Sequence, residues 1–175
     1  MANDIDNYQK VITDIKEIIS SGREVVYNAT NKAMVFTYWH VGKRIVEQEQ
    51  EGKERAKYGQ ALIEVLADEL TKEYGKSFSK RNLQYFRKFY LAFPNEQIVN
   101  ACVHNLTWTH FRTLLRVSAE NARLWYMNEA TNESWSSRTL DRNISTQYYY
   151  RLMQSSKKEC AICKSQYKKY GFRTI

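Results

Sequence analysis

The stretch 58-YGQALIEVLADELTKEYGKSFSKRNLQYFRKFYLAF-93 decides how the rest of the chain is read. Leu62, Val65, Leu66 and Leu70 recur at three- and four-residue steps, which predicts a helix over 58–74 with those residues inward. Gly75 suits the cap position just past a helix end, where a left-handed backbone is needed. After the break Gly75-Lys76-Ser77-Phe78, Ser79 can cap a second helix. That helix runs to Phe93 and is ended by Pro94, which disfavours helical backbone at the residue before it. In it Leu83, Phe86, Phe89, Tyr90 and Phe93 are expected to face inward. Lys80, Arg81, Gln84, Arg87 and Lys88 are expected to face out.

Upstream, residues 4–21 read as an amphipathic helix. Tyr8, Val11, Ile12, Ile15, Ile18 and Ile19 form its apolar stripe, and Ser20-Ser21-Gly22 is expected to stop it. A second helix is expected over 24–47, with Tyr27, Met34, Tyr38, Val41 and Ile45 apolar. Val35, Trp39 and Val46 widen that stripe, as contact on more than one side would require. The charged segment 47–57 reads as a frayed end and a solvated loop. Downstream, 95–106 reads as a loop or short helix. Helices are expected over 107–117, over 118–131 with Ser118 as cap, and from Ser136 or Ser137 onward with Leu140, Ile144, Tyr148 and Leu152 inward. The expected fold is an all-α multi-helix bundle with a helix-turn-helix or winged-helix-like segment. Its helical domain spans 1–154, with long helices over 4–51, the helix–turn–helix over 58–93 and further helices over 107–154. The basic, polar tail 155–175 is expected to be poorly ordered.

Composition agrees with helices and with a sizeable core. The chain holds 13 Tyr, 7 Phe and 4 Trp, but one Pro and six Gly, too few turn formers for a turn-rich β protein. Charge is uneven. Residues 1–78 carry 11 Lys and Arg against 13 Asp and Glu, whereas 79–175 carry 16 against 6. A local cationic field of this kind attracts polyanions, nucleic acid above all. Three cysteines make no disulfide framework. Acidic residues interrupt the first twenty positions where a signal peptide would need an apolar run. Apolar runs are too short to cross a bilayer, and the chain reads as cytoplasmic.

Catalytic chemistry finds little purchase. Asp14-Ile15-Lys16 and Glu51-Gly52-Lys53 superficially fit the (D/E)-x-Lys half of a metal-dependent nuclease site, but neither lies in strand sequence. Cys160-Ala161-Ile162-Cys163 is a lone C-x-x-C without the second pair a structural zinc needs. His40, His104 and His110 lack triad spacing, and His40 reads as half-buried in its helix. No Gly-rich phosphate loop occurs. No cofactor or metal is expected.

The surface chemistry is more informative. Lys76, Ser79, Lys80, Arg81, Asn82 and Gln84 lie at or near a helix N-terminus, which presents free N–H groups and partial positive charge to phosphate. Arg87 and Lys88 extend that face. Asn82 or Gln84 could read a base edge. A second basic set comprises Arg112, Arg116, Arg138 and Arg142, with His110 beside them. Arg112 and Arg116, four apart, would share one helix face.

The segments 31-NKAMVFTYWHVGKRI-45, Tyr58-Gly59 leading to Leu70, 74-YGKSFSKRNL-83, 106-LTWTHF-111 with 114-LLRV-117, and 135-WSSRTLDRNI-144 occur in order over about 10–154. This ordered set resembles the N-terminal domain of the DUF1016 family, also called YhcG-like proteins. The resemblance implies a helical module that binds DNA in a winged-helix or helix–turn–helix manner and precedes a PD-(D/E)xK nuclease domain. After about Gln154 the chain departs from that pattern, so no nuclease activity is expected of it. The partners this reading admits are DNA, a PD-(D/E)xK nuclease partner or domain, and a second copy of the chain; a membrane is not among them. The alternative is a protein-interaction or dimerisation module, built on the apolar stripes near the N-terminus.

Overall fold

A computed structural model describes the backbone over residues 2–51 and 55–155, and the side chains over 8–50 and 61–154. The described residues form eight α-helices and no strand: α1 Ala2–Glu51, α2 Arg55–Tyr74, α3 Lys80–Ala92, α4 Glu96–Cys102, α5 Trp108–Leu114, α6 Glu120–Asn132, α7 Ser137–Ser145 and α8 Tyr148–Ser155. The all-α expectation is met. The β-hairpin that a winged helix would add has no counterpart among the described residues. Residues 155–175 lie, apart from Ser155, outside the described backbone, as does the Cys160–Cys163 pair.

The first departure from expectation is at Gly22. The two helices expected over 4–21 and 24–47 are one continuous helix. A glycine costs an exposed helix about 1 kcal/mol, which fifty consecutive helical residues absorb. The second departure follows from it. Residues 8–30 are exposed all round, so the stripe of Tyr8, Ile15 and Ile18 meets no core. Tyr27 is 63% exposed rather than packed. Only from Asn31 does α1 touch the body, where the Asn31 amide donates to the Leu106 carbonyl at 3.2 Å. Beyond it, Val35, Trp39, Ile45 and Val46 are buried.

α1 and α3 form the central packing. Gly42 lies where they cross, and an added Cβ there would sit 2.0 Å from the Phe86 carbonyl oxygen. Two apolar clusters flank the crossing. One gathers Tyr38, Ile45, Ile63, Ala67, Leu83 and Phe86. The other holds Phe89, Phe93, Phe111, Leu114, Tyr126 and Leu140 among its members. Trp108 joins them, with ring centroids 5.4 Å from both Phe86 and Phe89. On α2 Ile63 and Ala67 are buried and the expected Leu66 and Leu70 pack half-buried against the same cluster, whereas Val65 is 62% exposed. The stripe is rotated from the expected Val65 side toward Ile63 and Ala67, which meet residues of α1 and α3.

The turn between α2 and α3 is close to expectation. Gly75 has φ of 82°, the left-handed region that favours glycine, and a 3₁₀ turn Lys76–Phe78 leads into α3. Ser79 holds the cap position, but its hydroxyl makes no cap hydrogen bond. Residues 95–106 contain a helix, capped by the Asn95 side chain accepting from the Gln97 N–H at 2.9 Å. α6 is preceded by Ala119, not Ser118, in the cap position. The last expected helix is two. Gln147 adopts φ of 53°, turning α8 back so that the Tyr149 N–H donates to the Tyr126 hydroxyl at 3.0 Å.

Candidate nucleic-acid interface

The exposed surface of α3 divides by spacing. Arg81, Gln84, Tyr85 and Lys88 recur at three- and four-residue steps and so share one face; they line a shallow depression. Lys80 and Arg87, seven apart, take another face and meet acidic residues there.

Arg112 of α5 joins the first face from a distant part of the chain. Its guanidinium carbon lies 4.8 Å from the centroid of the Tyr85 ring, and that of Arg81 lies 5.9 Å from it. Both are within the range of cation–π attraction. The Arg81 and then the Arg112 guanidinium, hydrogen-bonded to the Tyr85 phenol, hold it below the ordinary tyrosine range. Two cations are thus held side by side on an aromatic surface. Neither has a carboxylate at ion-pair distance among the described residues, and the same is true of Lys88. Side chains of this kind, charged and uncompensated, are free to neutralise phosphate.

The other expected contacts are not gathered there. Lys80 Nζ pairs with Glu64 of α2 at 2.6 Å. Arg87 Nε donates to both oxygens of Glu49 on α1, at 2.9 and 2.7 Å. Arg116 pairs with Asp141 of α7. These three cations are partly neutralised, and Arg87 ties α3 to α1. The Asn82 amide donates to the Ser77 carbonyl at 3.1 Å, holding the turn instead of projecting toward a base. Arg112 and Arg116 do not share a helix face, because α5 ends at Leu114. Lys76 in the 3₁₀ turn and Arg138 and Arg142 of α7 are exposed but belong to other elements. His110 is buried, so it leaves the surface set altogether. His40 is exposed and lies 3.8 Å from Glu96.

Tyr85 is the residue that sequence reasoning missed. Its spacing of four from Arg81 was the available signal, but nothing local announces that Arg112 returns to the same ring. As to metals, no group of three or more His, Cys, Asp or Glu that could hold one occurs among the described residues. Asp14 and Lys16 stand on the exposed part of α1, and Gly52 and Lys53 lie outside the described residues. No described helix is long and apolar enough to cross a membrane.

Comparison with known proteins shows the family of the chain. The DUF1016 N-terminal domain family matches residues 14–151. The chain belongs to that family. This DUF1016 domain is also 32% identical, over 185 aligned positions, to the protein named "Putative nuclease YhcG" of Escherichia coli (strain K12). The match covers 89% of the present chain and 49% of that protein, so the chain spans about half the length of its curated relative. No solved structure matches this chain.

Proposed function

We propose that this domain is a non-catalytic DNA-binding module associated with a nuclease, and that it meets the duplex with the Arg81–Gln84–Tyr85–Lys88 face of α3 and with Arg112. The observation that carries the reading is the pair of guanidiniums held over Tyr85 with no carboxylate partner among the described residues. Cations fixed on a rigid ring lose less side-chain freedom on binding than freely moving ones. They contact the backbone, so they supply affinity and position. Gln84, exposed between them, is the side chain placed to touch a base edge. Ser79 opens α3 with a hydroxyl not spent on capping. α2, the turn and α3 then act as the helix–turn–helix segment. The relative's name supports a nuclease association.

The test is a salt-series anisotropy titration against duplex, branched and single-stranded DNA. Combining Arg81→Gln, Lys88→Gln and Arg112→Gln removes three phosphate contacts. Each contributes about 0.9 to the slope of log affinity against log salt on duplex DNA. The slope is therefore expected to fall by roughly 2 to 3, with at least a tenfold loss of affinity at low salt. Lys80→Gln, whose ammonium is already paired with Glu64, is expected to stay within about twofold of the parent, since exposed pairs are nearly neutral energetically. Unchanged affinity in the triple variant, with its thermal unfolding also unchanged, rejects the proposal.

A further inference from the structure

The N-terminal part of α1 carries an apolar surface that nothing among the described residues covers. Tyr8 and Ile15 stand seven apart, and Val11, Ile18 and Val25 repeat the same interval three residues on. These are the a and d positions of a heptad pattern, with Gly22 and Ala29 continuing the a series. Ile12, Ile19 and Val26 widen the stripe on one side. All eight large side chains are exposed, from 43% for Ile12 to 70% for Ile18. Monomeric proteins seldom leave such a continuous patch in water.

We infer that this arm is a dimerisation element that packs lengthwise on the same arm of a second copy of the chain. The period is the first argument. A strict seven-residue repeat suits a partner helix of equal pitch and length, as an identical arm supplies. Area is the second. Fully covered, the exposed parts of the eight side chains would supply on the order of 800 Å², about the share that one partner contributes to a standard interface. Charge is the third, and it sets the direction. Lys16 and Arg23 flank the stripe beside Ile12 and Ile19, while Asp14 flanks the other edge with Ser21 and Asn28. In a parallel pair the two edges face each other, so the cations meet an acidic and polar edge. In an antiparallel pair Lys16 would face Arg23 of the second copy, which is repulsive. The two arms therefore run parallel. The stripe lies on a different element from the α3 cations, so the inference stands or falls independently of the nucleic-acid reading.

The experiment uses the full chain without nucleic acid. Light scattering at tens of micromolar is expected to give twice the chain mass. Ile15→Asp combined with Ile18→Asp is expected to give the chain mass, with thermal unfolding of the body retained because neither residue touches it. Val65→Asp, an exposed apolar site outside the stripe, is expected to leave the dimer intact. Ile18→Cys is expected to cross-link two copies on oxidation beyond the parent's level, as a parallel in-register pair requires. A monomeric parent overturns the inference, whichever other segment covers the stripe. A dimer that survives the double substitution overturns it too, and absent cross-linking in a dimer overturns the parallel arrangement.

Discussion

Gly42→Ala is expected to destabilise the domain by about 3 kcal/mol or more, at the upper end of what overpacking a core costs. Alanine is the better helix former by up to about 1 kcal/mol, so in an open helix the change would help. Here the new methyl would stand 2.0 Å from the Phe86 carbonyl oxygen, 2.6 Å from its carbon and 3.2 Å from Tyr90 Cβ. The first two atoms are backbone of α3 and cannot rotate away. Relief requires α1 and α3 to separate by more than an ångström. Separation pulls Tyr38 off Phe86, whose rings stack at 4.2 Å and 9°. It also strains the bond from Trp39 Nε1 to the Phe93 carbonyl, 2.8 Å long. Packing loss over two buried rings outweighs the gain in helix propensity. Gly22→Ala supplies the contrast. Nothing lies within 4 Å of a Cβ there, so the same substitution should leave stability unchanged or raise it. Chemical denaturation followed by circular dichroism measures both. Equal effects at the two glycines would show that α1 and α3 do not cross as closely as described.

The contrast also shows what the sequence could and could not convey. Both glycines interrupt apolar periodicity in the same way. One reads naturally as a helix stop, yet neither stops α1. What separates them is the distance to another helix, which is a tertiary fact. Local signals were legible where the cause is local: Gly75 ahead of the 3₁₀ turn, Pro94 after α3, and the Ser136 hydroxyl accepting from the Thr139 N–H at 3.1 Å. Apolar spacing located α2 and α3, but it could not say which stripe finds a partner. Residues 8–27 hold a longer run of large apolar residues than α2, and among the described residues only the stripe of α2 is covered. For the surface, charge counts gave the sign of the field in the second half of the chain. They could not separate Arg81 and Arg112, which converge on Tyr85, from Arg87 and Arg116, which meet Glu49 and Asp141. Convergence between α3 and α5 depends on loop closure over more than twenty residues, and no short-range pattern encodes it.

Replacing His110 by alanine is expected to cost about 2 to 4 kcal/mol, the sum of a lost helix cap and stranded buried polar groups. The imidazole is 6% exposed and joins two segments 25 residues apart. Its Nε2–H donates to the Trp135 carbonyl at 3.0 Å. Its Nδ1 accepts from the Thr107 N–H at 3.0 Å, with the Thr107 hydroxyl 2.8 Å away. That pattern requires the neutral ring, protonated on Nε2. A proton on Nδ1 would confront the Thr107 N–H and place a cation at the start of α5, where the helix dipole opposes it. Burial accordingly pushes the His110 pKa down, and the bond to the Trp135 carbonyl offsets only part of that. The unfolded chain takes up this proton near pH 6.5, the folded domain only at lower pH. Between those two values the unfolded state binds more protons, so stability falls as pH falls. The contribution is complete above about pH 6.5 and is lost as pH drops to the folded value. Urea unfolding of the parent between pH 5 and 7.5 should therefore slope upward with pH. In His110→Ala the slope should be shallower, and the difference between the two proteins isolates this residue from exposed His40 and His104. Identical slopes would mean that His110 can hold its proton in the folded domain, and that the tie from Thr107 to Trp135 is not made through a neutral ring.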